Sequence, residues 1–270
     1  MKKVVIFDSG VGGLSVYQEI YALLPQVQFI YAFDNAAFPY GELDDATLIK
    51  RTNHIVTLLA HQYQADLVVI ACNTASTIVL PSLRQQLTIP VVGVVPAIKP
   101  AALASQTKSI GLLATPATVN RPYTHQLVQQ FANGCDVKMI GSTRLVEMAE
   151  QKLRGKSVDM RELTEILKPW QGVVDSIVLG CTHFPLIKQE IQQALKHQVL
   201  KHQVNIVDSG KAIAKRVVSL LELSNDVIVV PNAIHNVTYS SAATYDAAAL
   251  NKSLNEMQLD IIQDLNYPHF

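Results

Sequence analysis

Two textures alternate along the chain. Short apolar runs rich in β-branched residues recur: VVIF (4–7), FIYAF (29–33), LVVIA (67–71), VVGVV (91–95), SIGLLA (109–114), VKMI (137–140), SIVLG (176–180), VNIVD (204–208) and VIVV (227–230). Between them, 14–24, 45–63, 76–87, 121–132, 144–167, 186–197 and 210–222 place apolar residues three and four positions apart. That is the spacing of helices with one buried face. Runs that are apolar on both sides predict strands covered on both sides, so the alternation predicts an α/β fold with parallel sheets between helices. Such sheets take their ligands at the carboxyl ends of strands.

The pattern also repeats. Aligning VVIACNT with SIVLGCT sets Cys72 against Cys181, and aligning VVIFDSGVGG with IGLLATPATV sets Asp8 against Thr115. The strand-end loop and the cysteine are nearly equally spaced in the two halves, which predicts two similar α/β lobes, each with a cysteine at a strand's carboxyl end. The proline-bearing stretch IPVVGVVPAIKPA (89–101) marks the crossing into the second lobe, since proline ends elements. NIVDSGKAIAKRV (205–217) reads as a strand, turn and helix returning to the first. The expected division is 1–97 with 208–270 for the first lobe and 98–207 for the second. One more helix is expected in the tail YSSAATYDAAALNKSLNEMQLD.

Composition narrows the functional classes. Hydrophobic residues make up 49% of the chain and charged ones 16%, against roughly 25% charged in an average soluble domain. Lys+Arg and Asp+Glu balance at 22 each, without the basic stripe of a nucleic-acid binder. The densest basic stretch, Lys196 to Lys201, reads as a solvated surface segment. In MKKVVIFDSG, Asp8 ends the apolar run well short of the roughly 7–15-residue core of a signal peptide. No window reaches the roughly 18 apolar residues of a membrane span. The expectation is a cytoplasmic protein that binds neither nucleic acid nor membrane. There, the three cysteines would not form a structural disulfide.

Candidate chemistry falls at strand ends. DSGVGG (8–13) follows one strand and opens a helix at Leu14; its glycines permit a tight turn and a close backbone approach. Neither nucleotide-binding glycine fingerprint is met. Asp8 among anion-favouring amides suits an ammonium group or a proton relay better than a phosphate. Pro39-Tyr40-Gly41 has the composition of a turn. The strongest features are Cys72-Asn73-Thr74 and Cys181-Thr182-His183. Buried cysteines are common as inert core residues, but these two stand where apolar residues stop and polar ones begin. Zinc asks for about four ligands with close pairing; Cys72, Cys181 and His183 supply fewer, without that pairing, so no metal is expected. A pair of catalytic thiols remains. Inverting a carbon centre requires a base on each face, and a thiol near pKa 8.5 can be tuned towards neutrality. His183 could assist Cys181, and Asp8 could assist Cys72, in a two-base racemase or epimerase.

DSGVGGLSV (8–16), PYG (39–41), ACNTAS (71–76) and LGCTHFPL (179–186) resemble the signature motifs of the glutamate racemases, in the aspartate/glutamate racemase superfamily. The resemblance runs from about residue 3 to about 222, in order and in register. It implies two flavodoxin-like lobes with the active site between them, usually in a homodimer. It also implies cofactor-independent interconversion of L- and D-glutamate, supplying D-glutamate for bacterial peptidoglycan. By the family pattern, Cys72 exchanges the Cα proton on the D-glutamate face and Cys181 on the L-glutamate face, assisted by Asp8 and His183. Ser9, Tyr40, Gly41, Asn73, Thr74 and Thr182 would hold the substrate, together with Asp8 and His183. Glu147, in LVEMAE, matches a family acid that supports His183.

Two stretches depart from the pattern. KMIGSTRLVEMAE (138–150) stands where the family carries a Cys-Pro-rich apolar segment, and VTYSSAATYDAAALN (237–251) matches only loosely. Two rival readings follow. A racemase of another acidic amino acid, such as aspartate, would use the same thiols with a different carboxylate pocket. A non-catalytic binding protein would keep the fold without turnover. Pyridoxal phosphate would require a Schiff-base lysine in a site context, and the strand-end motifs contain none.

Overall fold

The computed structural model describes residues 1–196, 204–222 and 234–265. The apolar run at 227–230 and most of the basic stretch at 196–201 lie outside them. In chain order the strands are β1 (Lys3–Asp8), β2 (Gln28–Phe33), β3 (Leu67–Ile70), β4 (Val91–Gly93), β5 (Ser109–Ala114), β6 (Asp136–Gly141), β7 (Ser176–Leu179), β8 (Asn205–Val207), β9 (Val237–Ser240) and β10 (Ile262–Asp264). The helices begin with α1 (Leu14–Leu23), α2 (Asp45–Tyr63), α3 (Asn73–Ser76), α4 (Leu80–Gln86), α5 (Ile98–Ala104) and α6 (Pro116–Asn120). They continue with α7 (Pro122–Phe131), α8 (Arg144–Leu153), α9 (Met160–Leu167), α10 (Lys188–Lys196), α11 (Gly210–Leu221) and α12 (Ala247–Glu256). The chain divides into two compact units, Met1–Val94 with Gly210–Phe270, and Val95–Ser209.

In the first unit a six-stranded sheet runs β10-β9-β2-β1-β3-β4, and every pairing is parallel. β1 and β3 lie side by side in the interior of the sheet, each flanked by a strand on both sides. From Val4 to Asp8 and from Leu67 to Ile70 no side chain reaches solvent. α2 packs against β1 and β3, and α11 against β3 and β4. The core joins Val5, Phe7, Ile30, Val68 and Ile70 of the sheet to Leu48, Ile55 and Leu59 of α2.

The second unit holds a four-stranded sheet in the order β6-β5-β7-β8, again parallel throughout. Ile110, Leu112 and Val178 pack with Ile98 and Ala101 of α5. Trp170 lies against β5, where a Cβ on Gly111 would stand 3.1 Å from its ring, so a glycine there makes room for the indole. Relative to its first strand, this order repeats β2-β1-β3-β4 of the first sheet. The predicted α/β class with parallel sheets is what the structure has.

Each sheet therefore has the same switch point, between its first and third strands, where successive connections leave in opposite directions. In α/β sheets such a point is where ligands are taken, at the carboxyl ends of the strands. In the first unit the residues at that point are Asp8-Ser9 and Cys72-Asn73; in the second they are Ala114-Thr115 and Cys181-Thr182.

Candidate active site

Asp8 ends β1 and is fully buried. Its carboxylate accepts from the Ser9 amide at 2.7 Å and from the Gly13 amide at 2.6 Å. The loop DSGVGG thus turns its own N–H groups onto the carboxylate, which fixes the position of the Asp8 side chain. Gly13 is obligatory for that turn. A Cβ there would stand 2.9 Å from Tyr31 Oη and 3.0 Å from both Ala71 Cβ and Asp8 Cβ.

Cys72 follows β3 and is 5% exposed. Its sulfur accepts from the Ala75 amide at 3.5 Å as the N-cap of α3, and Ser9 Oγ lies 3.7 Å away. Ser9 Oγ also stands 3.4 Å from Asp8 Oδ1, so a hydroxyl links carboxylate and thiol. Asn73 and Thr74 are buried at the start of α3. The Asn73 Nδ2 group finds no acceptor among the described residues. Buried amides are ordinarily satisfied, so this donor is suited to an incoming carboxylate.

Tyr40 is buried as well, and its hydroxyl donates to Asp34 Oδ2 at 2.7 Å. Asp34 closes a cluster that the sequence reading missed. Arg51 grips it through two bonds of 2.7 Å and Ser241 through one of 2.5 Å. Burial, and then the Asp34 charge, push the Tyr40 phenol well above its ordinary value, so it remains a neutral donor. With its proton committed to Asp34, what Tyr40 offers a ligand is the backbone of the turn it anchors, where Gly41 is partly exposed.

In the second unit Cys181 follows β7 and is 7% exposed; Thr182 and His183 beside it are buried too. His183 Nδ1 lies 3.8 Å from Cys181 Sγ, and Nε2 lies 2.9 Å from Glu150 Oε1. Burial works against the imidazolium, yet hydrogen bonds and charge from Cys181 and Glu150 outweigh it and hold His183 well above its ordinary value.

This corrects the assignment of Glu147. The carboxylate on α8 that meets His183 belongs to Glu150, while Glu147 faces outward and pairs with Arg144 at 2.8 Å. The reason is helical phase. Val146, Glu150 and Leu153 lie on the buried side of α8, as the i, i+4, i+7 spacing requires, and Glu147 falls off that side. Burial of one acid inside an amphipathic helix was the available signal.

Among the described residues no group of three or more His, Cys, Asp or Glu side chains is placed to hold a metal, and no helix is long and apolar enough to cross a membrane. What the geometry offers is two buried thiols, each at a strand's carboxyl end and each within reach of a proton-handling partner.

The sequence profile of the Asp/Glu/Hydantoin racemases matches residues 9–217, which spans both cysteines. The chain belongs to this racemase family. It is 56% identical over 269 residues to the glutamate racemase of Aliivibrio fischeri, covering 100% of this chain and 99% of that one. The Vibrio cholerae glutamate racemase is 56% identical over 266 residues, covering 98% and 97%. Among solved structures, Escherichia coli glutamate racemase in complex with L-glutamate and the activator UDP-MurNAc-Ala superposes with a TM-score of 0.89 at 47% identity, covering 98% of each chain. As a member of the racemase family this protein is an enzyme, an isomerase.

Proposed function

We propose that this racemase interconverts L- and D-glutamate without a cofactor, Cys72 and Cys181 each exchanging a proton with one face of Cα. The observation that carries the reading is the repeated geometry at two strand ends. Cys72 stands beside Ser9 and Asp8, and Cys181 beside His183 and Glu150. Glutamate as substrate is supported by the full-length similarity to curated glutamate racemases.

In the forward step the Cys181 thiolate takes the Cα proton of L-glutamate, and the electron pair stays on carbon, conjugated with the carboxylate. The Cys72 thiol then delivers its proton to the opposite face. D-glutamate leaves, with the two thiols having exchanged protonation states. The reverse reaction starts from the other thiolate. Asp8 and His183 set those protonation states, and Ser9, Asn73, Thr74, Thr182 and the backbone at Tyr40-Gly41 hold the substrate's carboxylates and ammonium group. The product would serve peptidoglycan synthesis in the cytoplasm, and the active form would be a homodimer.

Proton NMR in D2O with L-glutamate, and L-aspartate in a parallel tube, tests the reaction. The Cα signal of glutamate should disappear as D-glutamate accumulates. Loss with aspartate alone would transfer the assignment to that substrate, and no exchange by folded, reduced protein would leave only a binding role. Cys72→Ser and Cys181→Ser should each lower racemisation at least about a thousandfold, since each removes a group that touches the reacting atom. A single variant turning over at the wild-type rate would refute the two-thiol mechanism.

A further inference from the structure

Behind His183 the chain of buried contacts continues one step further than the reaction requires. Glu150 Oε1 meets His183, and its other oxygen, Oε2, accepts from Arg154 Nη1 at 2.6 Å. The same nitrogen donates to the Glu150 carbonyl at 2.7 Å. The Arg154 side chain is 1% exposed, an unusual burial for an arginine. Cys181, His183, Glu150 and Arg154 thus form one buried sequence of alternating proton and charge carriers.

We propose that Arg154 is a positioning residue of the racemase, supplying the second positive charge that lets a Cys181 thiolate coexist with the Glu150 carboxylate. The inference rests on the two-thiol reading of the site. With Cys181 as thiolate and His183 as imidazolium, the cluster holds two anions, and the imidazolium neutralises one of them. A buried charge left without its partner is strongly disfavoured. Arg154 neutralises the other. Arg144, Lys152 and Lys188 of the surrounding elements are engaged in pairs of their own. Arg144 binds Glu147 and Glu162 of α9, Lys152 binds Glu190 of α10, and Lys188 binds Asp208. α8 packs directly on the turn Phe184–Ile187 that follows His183, so a shift in the Glu150 carboxylate is felt at the imidazole.

A plainer role also fits part of the geometry. Arg154 is the C-cap of α8, and a cation donating to a late carbonyl stabilises a helix end. The test must separate charge from capping. Arg154→Gln keeps an amide donor and removes the charge, while Arg154→Lys keeps the charge without the planar fork. The readout is the rate of iodoacetamide alkylation against pH, resolved at each cysteine by peptide mass spectrometry.

In Arg154→Gln the pH of half-maximal alkylation at Cys181 should rise by up to about one unit, the low end for an opposite charge in direct contact, because the arginine acts through Glu150 and His183. Cys72 should keep its wild-type profile as an internal control, and racemisation near neutral pH should drop about tenfold and recover at alkaline pH. Arg154→Lys should hold the Cys181 midpoint close to wild type. Superposed Cys181 profiles in wild type and Arg154→Gln, with only a lower Tm, would reduce Arg154 to a helix cap. So would a Lys variant whose midpoint shifts as far as the Gln one. Alkylation needs no turnover, so this outcome is independent of the racemisation assay: wild-type rates in Cys181→Ser would sink the two-thiol reading, whereas an unshifted Arg154→Gln sinks only the role of the arginine.

Discussion

At the scale of single residues, the site is built by polar groups that consume one another's bonding capacity and leave the thiols in between. Glu150 shows this most directly, because it is one of the two partners that keep His183 protonated against burial. Glu150→Gln removes that support, so the ring-nitrogen NMR titration of His183 should move to lower pH; an unmoved titration would detach Glu150 from the imidazole. The linkage has a definite sign. His183 has a raised value in the folded protein, so its protonation contributes stability in full below its ordinary value of about 6.5, and the contribution fades as pH rises through the raised value. The stability gap between wild type and Glu150→Gln should therefore be widest near about pH 6 and narrow towards alkaline pH in urea titrations. Gly13 makes the opposite kind of demand, for space. Gly13→Ala forces a methyl against Tyr31, Ala71 and Asp8; overpacking of this kind costs about 1–3 kcal/mol. It should also lower kcat/KM, because the displaced carboxylate is the one linked through Ser9 to Cys72.

At the scale of elements, most of what the hydrophobic pattern predicts is present, and the differences have physical causes. The period over 144–167 reads as one helix, but the structure breaks it into α8 and α9. Gly155 turns the chain with φ +78°, and the Asp159 side chain caps α9 by accepting from the Arg161 and Glu162 amides at 3.0 Å each. A glycine after one helix and an aspartate before the next are the ordinary stop and start signals, outweighed in the sequence by continuous periodicity on both sides. Asp159→Ala should cost about 1 kcal/mol by loss of the cap and leave racemisation unchanged, since the cap lies on an exposed turn. A large loss of kcat would show that α9 reaches the chemistry. Strands β9 and β10 were not foreseen because VTYS and IQD carry little apolar signal; neighbouring backbone, through β2 and then β9, completes their pairing. α5 was hidden by the prolines around it. The cysteines, Asp8 and His183 were legible because a switch from apolar to polar at a strand end is a local pattern. The Asp34, Arg51 and Ser241 cluster was not, since its members are scattered along the sequence and only the fold brings them together.

At the scale of the whole molecule, the repeat seen in the sequence becomes the same strand order in two parallel sheets, but the two cysteines are equipped differently. Cys72 has a serine and a carboxylate, whereas Cys181 has an imidazole backed by a carboxylate and a guanidinium. In the proposed mechanism the two thiols have mirror-image tasks, and their different equipment raises the question of whether one direction should run faster. Thermodynamics limits the answer. The two enantiomers have equal free energy in water, so the equilibrium constant is one, and kcat/KM must be the same from either side. Asymmetry between the thiols can appear only in kcat and KM separately, through how tightly each enantiomer is held before the proton moves. Arg154→Gln, acting on the Cys181 side alone, should accordingly lower kcat/KM equally for L- and D-glutamate while changing the ratio of their kcat values. Initial rates from both enantiomers, followed by circular dichroism, measure all four constants. Unequal kcat/KM values in any variant would mean that L- and D-glutamate are not the only reactants, and that some other chemistry shares the site.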